Sequence, residues 1–177
     1  VLADQKEHPA LRTAILECAR GSKFFIGRYL REYIQAHRDQ FLKLLRDIYT
    51  NTAEAWRVRW FASDAANQLI QDNYVSIVRA DPYVVELRSK TKNMIHSEEI
   101  MRQHKAKLAK ETLAGLNKAV EAEIQPHLAD LRKILQEKDQ HAELRRSIKF
   151  AAESYARAGV DSPELAKLQD ELRRTDE

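Results

Sequence analysis

Glycine and proline, the residues that interrupt helices and build tight turns, are scarce in this sequence: each occurs only four times in 177 residues. Charged residues make up 32% of the chain, above the ~25% of an average globular domain. Apolar residues recur every three or four positions over long stretches, and strand-like alternation never lasts more than a few positions. The sequence therefore predicts an all-α protein, folded as an elongated bundle of five to six helices.

The first 80 residues are expected to form a compact helical base of three helices. The first helix begins near Pro9, because proline is tolerated in the first turn. The second covers about residues 23–49 and carries a near-heptad apolar stripe. Asn51 and Glu54 have the spacing of a capping box and predict the start of the third helix.

A fourth helix is expected to begin at Asp81 and Pro82, since aspartate caps a helix and proline fits its first turn. Its apolar period extends to Gln125, with a second start near Ser97 as the alternative to one continuous helix. Pro126 lacks a backbone donor, and we expect it to kink or end this helix.

A fifth helix of similar length follows and is predicted to end at Gly159. The fourth and fifth helices together predict a long antiparallel hairpin of coiled-coil type over residues 81–159. Ser162 then caps a C-terminal helix within residues 160–177. The predicted organisation is a base, a projecting hairpin and a last helix, joined in one structural unit.

The net charge of +3 comes from the first part of the chain: residues 1–80 carry 12 Lys and Arg against 9 Asp and Glu, while residues 81–177 carry 18 of each. The excess permits an acidic partner without requiring one. The single cysteine, Cys18, excludes an intrachain disulfide, and no apolar run approaches the ~20 residues of a membrane helix. We expect an intracellular, cytoplasmic protein without a transmembrane segment. Its start at Val1 suggests a piece of a longer chain.

Residues 56–60 are the most distinctive segment, because they contain two tryptophans and two arginines. On a helix the tryptophans share one face and the arginines flank it. Such side chains stack on bases and bind phosphates in single-strand-binding proteins. The alternative is that the tryptophans anchor the core and the arginines extend from its edge. The candidate nucleic-acid site comprises Arg28, Arg31, Trp56, Arg57, Arg59 and Trp60.

The apolar stripe of the predicted hairpin indicates a second kind of site. Two long helices that pack only on each other leave apolar surface, and methionine-containing faces adapt to partner helices. The sequence thus favours a non-enzymatic protein-interaction or scaffold module that binds a protein partner or a second copy by helix packing. Its predicted contacts are Met94, Met101, Leu108, Leu135 and Ile148. The alternative is that other parts of the chain cover these residues.

The sequence has no phosphate-binding glycine loop, nucleophile elbow or HExxH motif. Histidines and glutamates in residues 96–104 and 137–141 would have to converge to bind a metal, and the Glu-x-x-His spacing of di-iron bundles does not occur. His37 lies on an apolar stripe and is expected to be a core residue. We therefore expect no cofactor and no metal. A helical enzyme without local signatures is the third and least favoured reading.

Overall fold

A computed structural model describes residues 2–4, 6–19, 32–34, 36–91, 96–137 and 141–176. Within these residues all regular secondary structure is helical, which confirms the predicted all-α class. The α-helices of this described part are Pro9–Ala19 (α1), Arg38–Tyr49 (α2), Trp56–Arg79 (α3), Pro82–Lys90 (α4), Ser97–Gln103 (α5), Lys110–Ala119 (α6), Gln125–Leu135 (α7), Ala142–Arg157 (α8) and Pro163–Asp176 (α9). A 3₁₀ turn, Lys105–Lys107, precedes α6, and a π-helical segment, Val120–Ile124, joins α6 to α7.

Helix α2 begins at Arg38, directly after His37, whose φ of −120° and ψ of 32° lie outside the helical region. The His37 side chain is exposed, and its ring centre lies 4.5 Å from that of Tyr33. The prediction of a core histidine is therefore wrong, because the turn at this position moves the side chain off the apolar stripe. Much of the first half of the predicted 23–49 helix lies outside the described residues.

Helix α3 begins at Trp56, later than the capping-box spacing predicts. The Asn51 side chain accepts a hydrogen bond from the Ala53 amide at 3.0 Å and so closes a turn ahead of the helix. The Glu54 carboxylate pairs instead with the buried guanidinium of Arg12, at 2.5 Å. The predicted capping box is wrong, because both of its side chains have other partners.

The predicted fourth helix is interrupted. Asp81 caps α4 as expected: its carboxylate accepts hydrogen bonds from the first-turn amides. However, α4 ends at Lys90, α5 begins at Ser97 and α6 begins at Lys110. The alternative break near Ser97 is confirmed, and a continuous helix over residues 83–125 is wrong. The helix is lost where the apolar period lapses, because a helix there would have little apolar face to bury.

Pro126 does not end a helix in this structure. The helical path continues from α6 through the π-helical segment into α7, which contains Pro126 in its first turn. The Gln125 amide donates to the Val120 carbonyl, five residues back, and not to the usual fourth. The backbone hydrogen-bond pattern is therefore irregular in the π turn that precedes Pro126, and the helix continues through the proline itself.

Gly159 and Ser162 mark helix ends, as the sequence predicts. Gly159 has a φ of 72°, and its amide donates to the Ala156 carbonyl while the Val160 amide donates to the Tyr155 carbonyl. This is a Schellman ending, which favours glycine at the left-handed position. Helix α9 follows Ser162, whose carbonyl accepts the first helical bonds, although its buried hydroxyl has no hydrogen-bond partner among the described residues.

The chain forms two compact units, each made of stretches distant in sequence. Unit 1 comprises residues 1–69 and 134–148, and unit 2 comprises residues 70–133 and 149–177. The predicted base, hairpin and C-terminal helix remain predictions about domains, because a compact unit within one chain is not by that fact a domain that folds alone.

Each unit has an aliphatic core with small residues that allow close packing. Buried residues of unit 1 include Leu16, Leu45, Ile48, Val58, Ala62, Ala65 and Ala66. Those of unit 2 include Val84, Ile100, Ile124, Leu128, Leu131, Tyr155, Leu165 and Leu168. Among the helices that the structure describes, none combines the length and the apolar character needed to cross a bilayer.

Candidate functional site

The two tryptophans of the predicted nucleic-acid site belong to an aromatic stack in unit 1. The Trp56 and Trp60 rings are nearly parallel, with centres 6.1 Å apart, as expected for side chains four residues apart on α3. The His141 ring lies 3.5 Å from Trp56 at an interplanar angle of 6°. The Arg57 guanidinium lies 5.4 Å from the Trp56 ring centre, within the range of a cation–π contact. Trp56, Trp60 and His141 are called the aromatic stack below.

Arg59 is only 6% exposed, and its side chain is used inside unit 1. Its two terminal nitrogens donate to the two carboxylate oxygens of Glu137, at 2.7 and 2.6 Å, and its Nε donates to the Tyr49 carbonyl at 3.0 Å. A bidentate arginine–carboxylate pair of this geometry is among the strongest polar contacts in proteins. We call this pair the Arg59–Glu137 clasp, because it ties α3 to a segment 78 residues further along the chain.

These contacts bring together only part of the predicted nucleic-acid site. Of its four arginines, Arg57 is exposed, Arg59 is buried, and Arg28 and Arg31 lie outside the described residues. One face of the Trp56 ring is already covered by His141. Sequence reasoning missed the partners of α3, because nothing local to residues 56–60 indicates which distant carboxylate or ring they meet. The described geometry fits the structural alternative, in which tryptophans and arginine hold the unit together.

The predicted partner-binding residues are buried. Met101, Leu108, Leu135 and Ile148 are 4%, 6%, 8% and 0% exposed, and Met94 lies outside the described residues. Four of the five predicted contacts are therefore core residues and do not offer the free apolar surface that the prediction assumed. The reason is physical: an apolar stripe indicates burial but does not indicate whether the chain itself or a partner provides the cover.

The segment Lys149–Arg157 of α8 and helix α9, both in unit 2, border a surface groove of about 270 Å³. Its floor includes Ala152 and Leu172, which are buried, and its rim carries charged and amide side chains of both helices. The residues that line this α8–α9 groove are Lys149, Ala152, Glu153, Gln169, Leu172 and Arg173.

Phe150 follows Lys149 on α8, although its side chain is not among those that line the groove. Its side chain is 55% exposed, and the Arg157 guanidinium lies 5.8 Å from its ring centre. Tyr33 and Val85 are exposed to a similar extent, at 62% and 56%, so Phe150 becomes a candidate contact only in combination with the groove. Phe150 lies off the buried stripe of its helix, which leaves its ring exposed.

The residues considered for metal binding have other roles in the described structure. Glu137 binds Arg59, His141 stacks on Trp56, and the His104 Nδ1 atom lies 3.2 Å from the Tyr83 hydroxyl. Among the described residues, no three His, Cys, Asp or Glu side chains converge in a way that could hold a metal ion.

The α8–α9 groove, the aromatic stack and the Arg59–Glu137 clasp are thus the features from which a function must be inferred. Comparisons with protein-family models, curated proteins and solved structures found no match for this chain.

Proposed function

We propose that this chain is a non-enzymatic helical protein-interaction module that binds an amphipathic helix of a partner protein at the α8–α9 groove. The observation that carries the proposal is the exposure of Phe150, 55%, beside a groove with an apolar floor. Removing such a ring from water on binding is worth about 1.5–3 kcal/mol for complete burial, so a partner that covers Phe150 gains this contribution.

The groove also defines the partner's chemistry. Ala152 and Leu172 offer a small apolar floor, which suits one aliphatic or aromatic anchor residue of the partner helix. Lys149, Glu153 and Arg173 place charges of both signs on the rim. A partner helix with an apolar anchor flanked by charges of both signs therefore fits better than a wholly apolar one, because rim charges select register and partner more than they add affinity.

A displayed library of amphipathic helical peptides tests this surface directly. Peptides selected on the wild-type chain are then measured by fluorescence anisotropy against Phe150→Asp and Val85→Asp. Val85 is the matched control: it is also a large apolar residue of unit 2, 56% exposed, but it lies on α4. We expect Phe150→Asp to weaken binding about tenfold or more, as for a contact near an interface centre, and Val85→Asp to leave it unchanged.

Equal losses with both variants, or no loss with Phe150→Asp, would overturn the assignment of this surface. Sedimentation equilibrium distinguishes the occupant. A concentration-dependent dimer that Phe150→Asp abolishes would show that a second copy of this chain, and not a different protein, is the helix that fills the groove.

The alternative function, nucleic-acid binding by residues 23–60, stays a prediction. Its described part rests on Arg57 and the two tryptophans, with Arg59 engaged by Glu137. Arg57→Ala tests it without disturbing the clasp.

A further inference from the structure

Residues 102–110 carry four positive charges and no negative one: Arg102, Lys105, Lys107 and Lys110. Residues 81–177 as a whole carry 18 basic and 18 acidic residues, so this is a local excess within a balanced region. All four side chains are exposed. We call residues 102–110 the basic turn.

The fold fixes the backbone of the basic turn. The Lys107 amide donates to the His104 carbonyl at 2.8 Å, which forms the 3₁₀ turn. Leu108, 6% exposed, inserts into the core directly after it. The Ala109 amide donates to the buried carboxylate of Asp81 at 2.9 Å. Because Leu108 and Ala109 are anchored inward, the neighbouring lysines are directed to solvent.

None of the four cations of the basic turn forms an ion pair with a described residue. Several other exposed lysines of the described chain do: Lys90 pairs with Glu86, Lys133 with Asp130 and Lys167 with Glu164. Within the basic turn Lys107 lies 5.5 Å from the Tyr83 ring centre, a cation–π contact that leaves its charge uncompensated. Exposed cations without carboxylate partners are the electrostatic feature that attracts a polyanion.

We infer that the basic turn is a contact surface for the phosphate backbone of a nucleic acid. An extended polyanion fits better than a small phosphate ligand, because the four cations are spread along nine residues of the chain. The cavity that Arg102 does line, about 490 Å³, also exposes Glu98 and Glu99, which disfavour an anion inside it. The inference concerns a surface and a ligand separate from the α8–α9 groove and does not depend on the proposed function.

Phosphate contacts by lysine predict a site without base preference. Fluorescence anisotropy with labelled single- and double-stranded oligonucleotides, over a salt series from about 50 to about 200 mM, measures both affinity and the number of contacts. We expect a linear fall of log affinity with log salt. Lys105→Gln combined with Lys107→Gln and Lys110→Gln should weaken binding about tenfold or more at the lowest salt and reduce the slope on duplex DNA by about 2–3.

The control removes the same net charge elsewhere in unit 2. Lys90→Gln, Lys133→Gln and Lys167→Gln remove three exposed cations that each pair with a carboxylate. We expect this triple variant to retain affinity within about twofold, because its cations are already compensated. Circular dichroism checks that both triple variants are folded.

Three results would overturn the inference: no binding by the wild-type chain at the lowest salt, equal losses in the two triple variants, or a strong base preference. A fourth comes from phosphatidylcholine vesicles with and without phosphatidylserine. If the basic-turn variant loses vesicle binding while the wild-type chain ignores oligonucleotides, the ligand is an anionic membrane and not a nucleic acid.

Discussion

Arg59 of unit 1 and the basic turn of unit 2 use positive charge in opposite ways. In unit 1, Arg59 is 6% exposed and both of its terminal nitrogens bind Glu137. In unit 2, Lys105, Lys107 and Lys110 are exposed and have no carboxylate partner among the described residues. By local sequence the first segment looks more like a binding site, since it combines arginines with tryptophans. By structure Arg59 of the first segment is paired with a carboxylate, whereas the lysines of the second segment have no carboxylate partner among the described residues.

The difference shows that the role of a cationic side chain, structural or available for binding, depends on whether the fold places a carboxylate next to it. A guanidinium can bury its stem and bind both oxygens of one carboxylate, which favours its use inside a unit. A lysine ammonium is a compact, strongly hydrated charge and stays at the surface unless a partner is provided. Whether a carboxylate is provided depends on residues far away in the chain, such as Glu137 for Arg59.

The largest expected change in unfolding free energy comes from removing the buried, paired side chain of Arg59. Arg59→Ala should destabilise the chain by about 2–3 kcal/mol, because it leaves the Glu137 carboxylate without its cation and the Tyr49 carbonyl without its donor. Lys107→Ala should change stability by less than about 0.5 kcal/mol, as expected for an exposed residue. Urea denaturation followed by tryptophan fluorescence measures both.

The double variant Arg59→Met with Glu137→Leu separates the contribution of the ion pair to stability from the contribution of side-chain packing. Replacing both partners with apolar residues of similar size should recover part of the stability that Arg59→Ala loses, since no charge is then left unpaired. Similar stabilities of Arg59→Ala and Lys107→Ala would contradict the contrast between Arg59 and the basic turn.

A second prediction concerns the scaffold beneath the basic turn. Gly159 has a φ of 72°, and a Cβ added there would lie 2.9 Å from the Cβ of Met101 in α5, the helix that leads into the turn. We expect Gly159→Ala to cost about 2 kcal/mol from left-handed backbone strain and this contact. Urea denaturation followed by circular dichroism measures the loss.

Gly115→Ala is the matched control, because it lies within α6 and its added Cβ would meet Ile77 at an ordinary 3.5 Å. It should be neutral or stabilising by up to about 1 kcal/mol. A Gly159→Ala variant as stable as Gly115→Ala would mean that the end of α8 is not held against α5 as described.

Sequence patterns predict the elements of this fold better than its contacts. The Asp81 cap, the Gly159 ending and the start of α9 after Ser162 follow from local chemistry, and each is present. The burial of Met101 and Ile148 follows from the apolar stripe that carries them. Which residues pack against that stripe depends on the whole fold. The Arg59–Glu137 clasp is equally non-local, because nothing near residues 56–60 indicates that Arg59 meets Glu137. The nucleic-acid site predicted on residues 23–60 stays a prediction.

A third prediction tests the anchor of the basic turn through pH. Burial raises the pKa of Asp81, but hydrogen bonds from the Thr112 side chain and from the amides of Ala109, Tyr83 and Val84 outweigh burial and lower it below the usual aspartate value. Asp81→Asn keeps an oxygen that can cap the helix but loses the charge and the second acceptor oxygen, which binds the Ala109 amide, so it should cost about 1 kcal/mol at neutral pH.

The sign of the pH dependence follows from the lowered pKa. A carboxyl group with a lower pKa in the folded state stabilises the fold above its unfolded pKa of about 3.9, and this stabilisation is lost as the pH falls through the folded value. The difference in unfolding free energy between the wild type and Asp81→Asn should therefore shrink as urea denaturation is repeated from pH 7 downward through pH ~4. A difference that stays constant would show that ionisation of Asp81 does not hold the turn.

The smallest expected effect decides between the two cationic segments. Arg57 is exposed and contacts the aromatic stack only through the face of Trp56, so Arg57→Ala should cost about 0.5 kcal/mol or less. If the basic turn binds nucleic acid, this variant should keep its oligonucleotide affinity within about twofold and its salt slope within about one contact. A loss as large as that of the triple lysine variant would return the site to residues 56–60. Trp56 and Trp60 would then report binding by a change in their fluorescence. The contrast between the paired Arg59 and the unpaired lysines would then account for the stability of the variants but not for where nucleic acid binds.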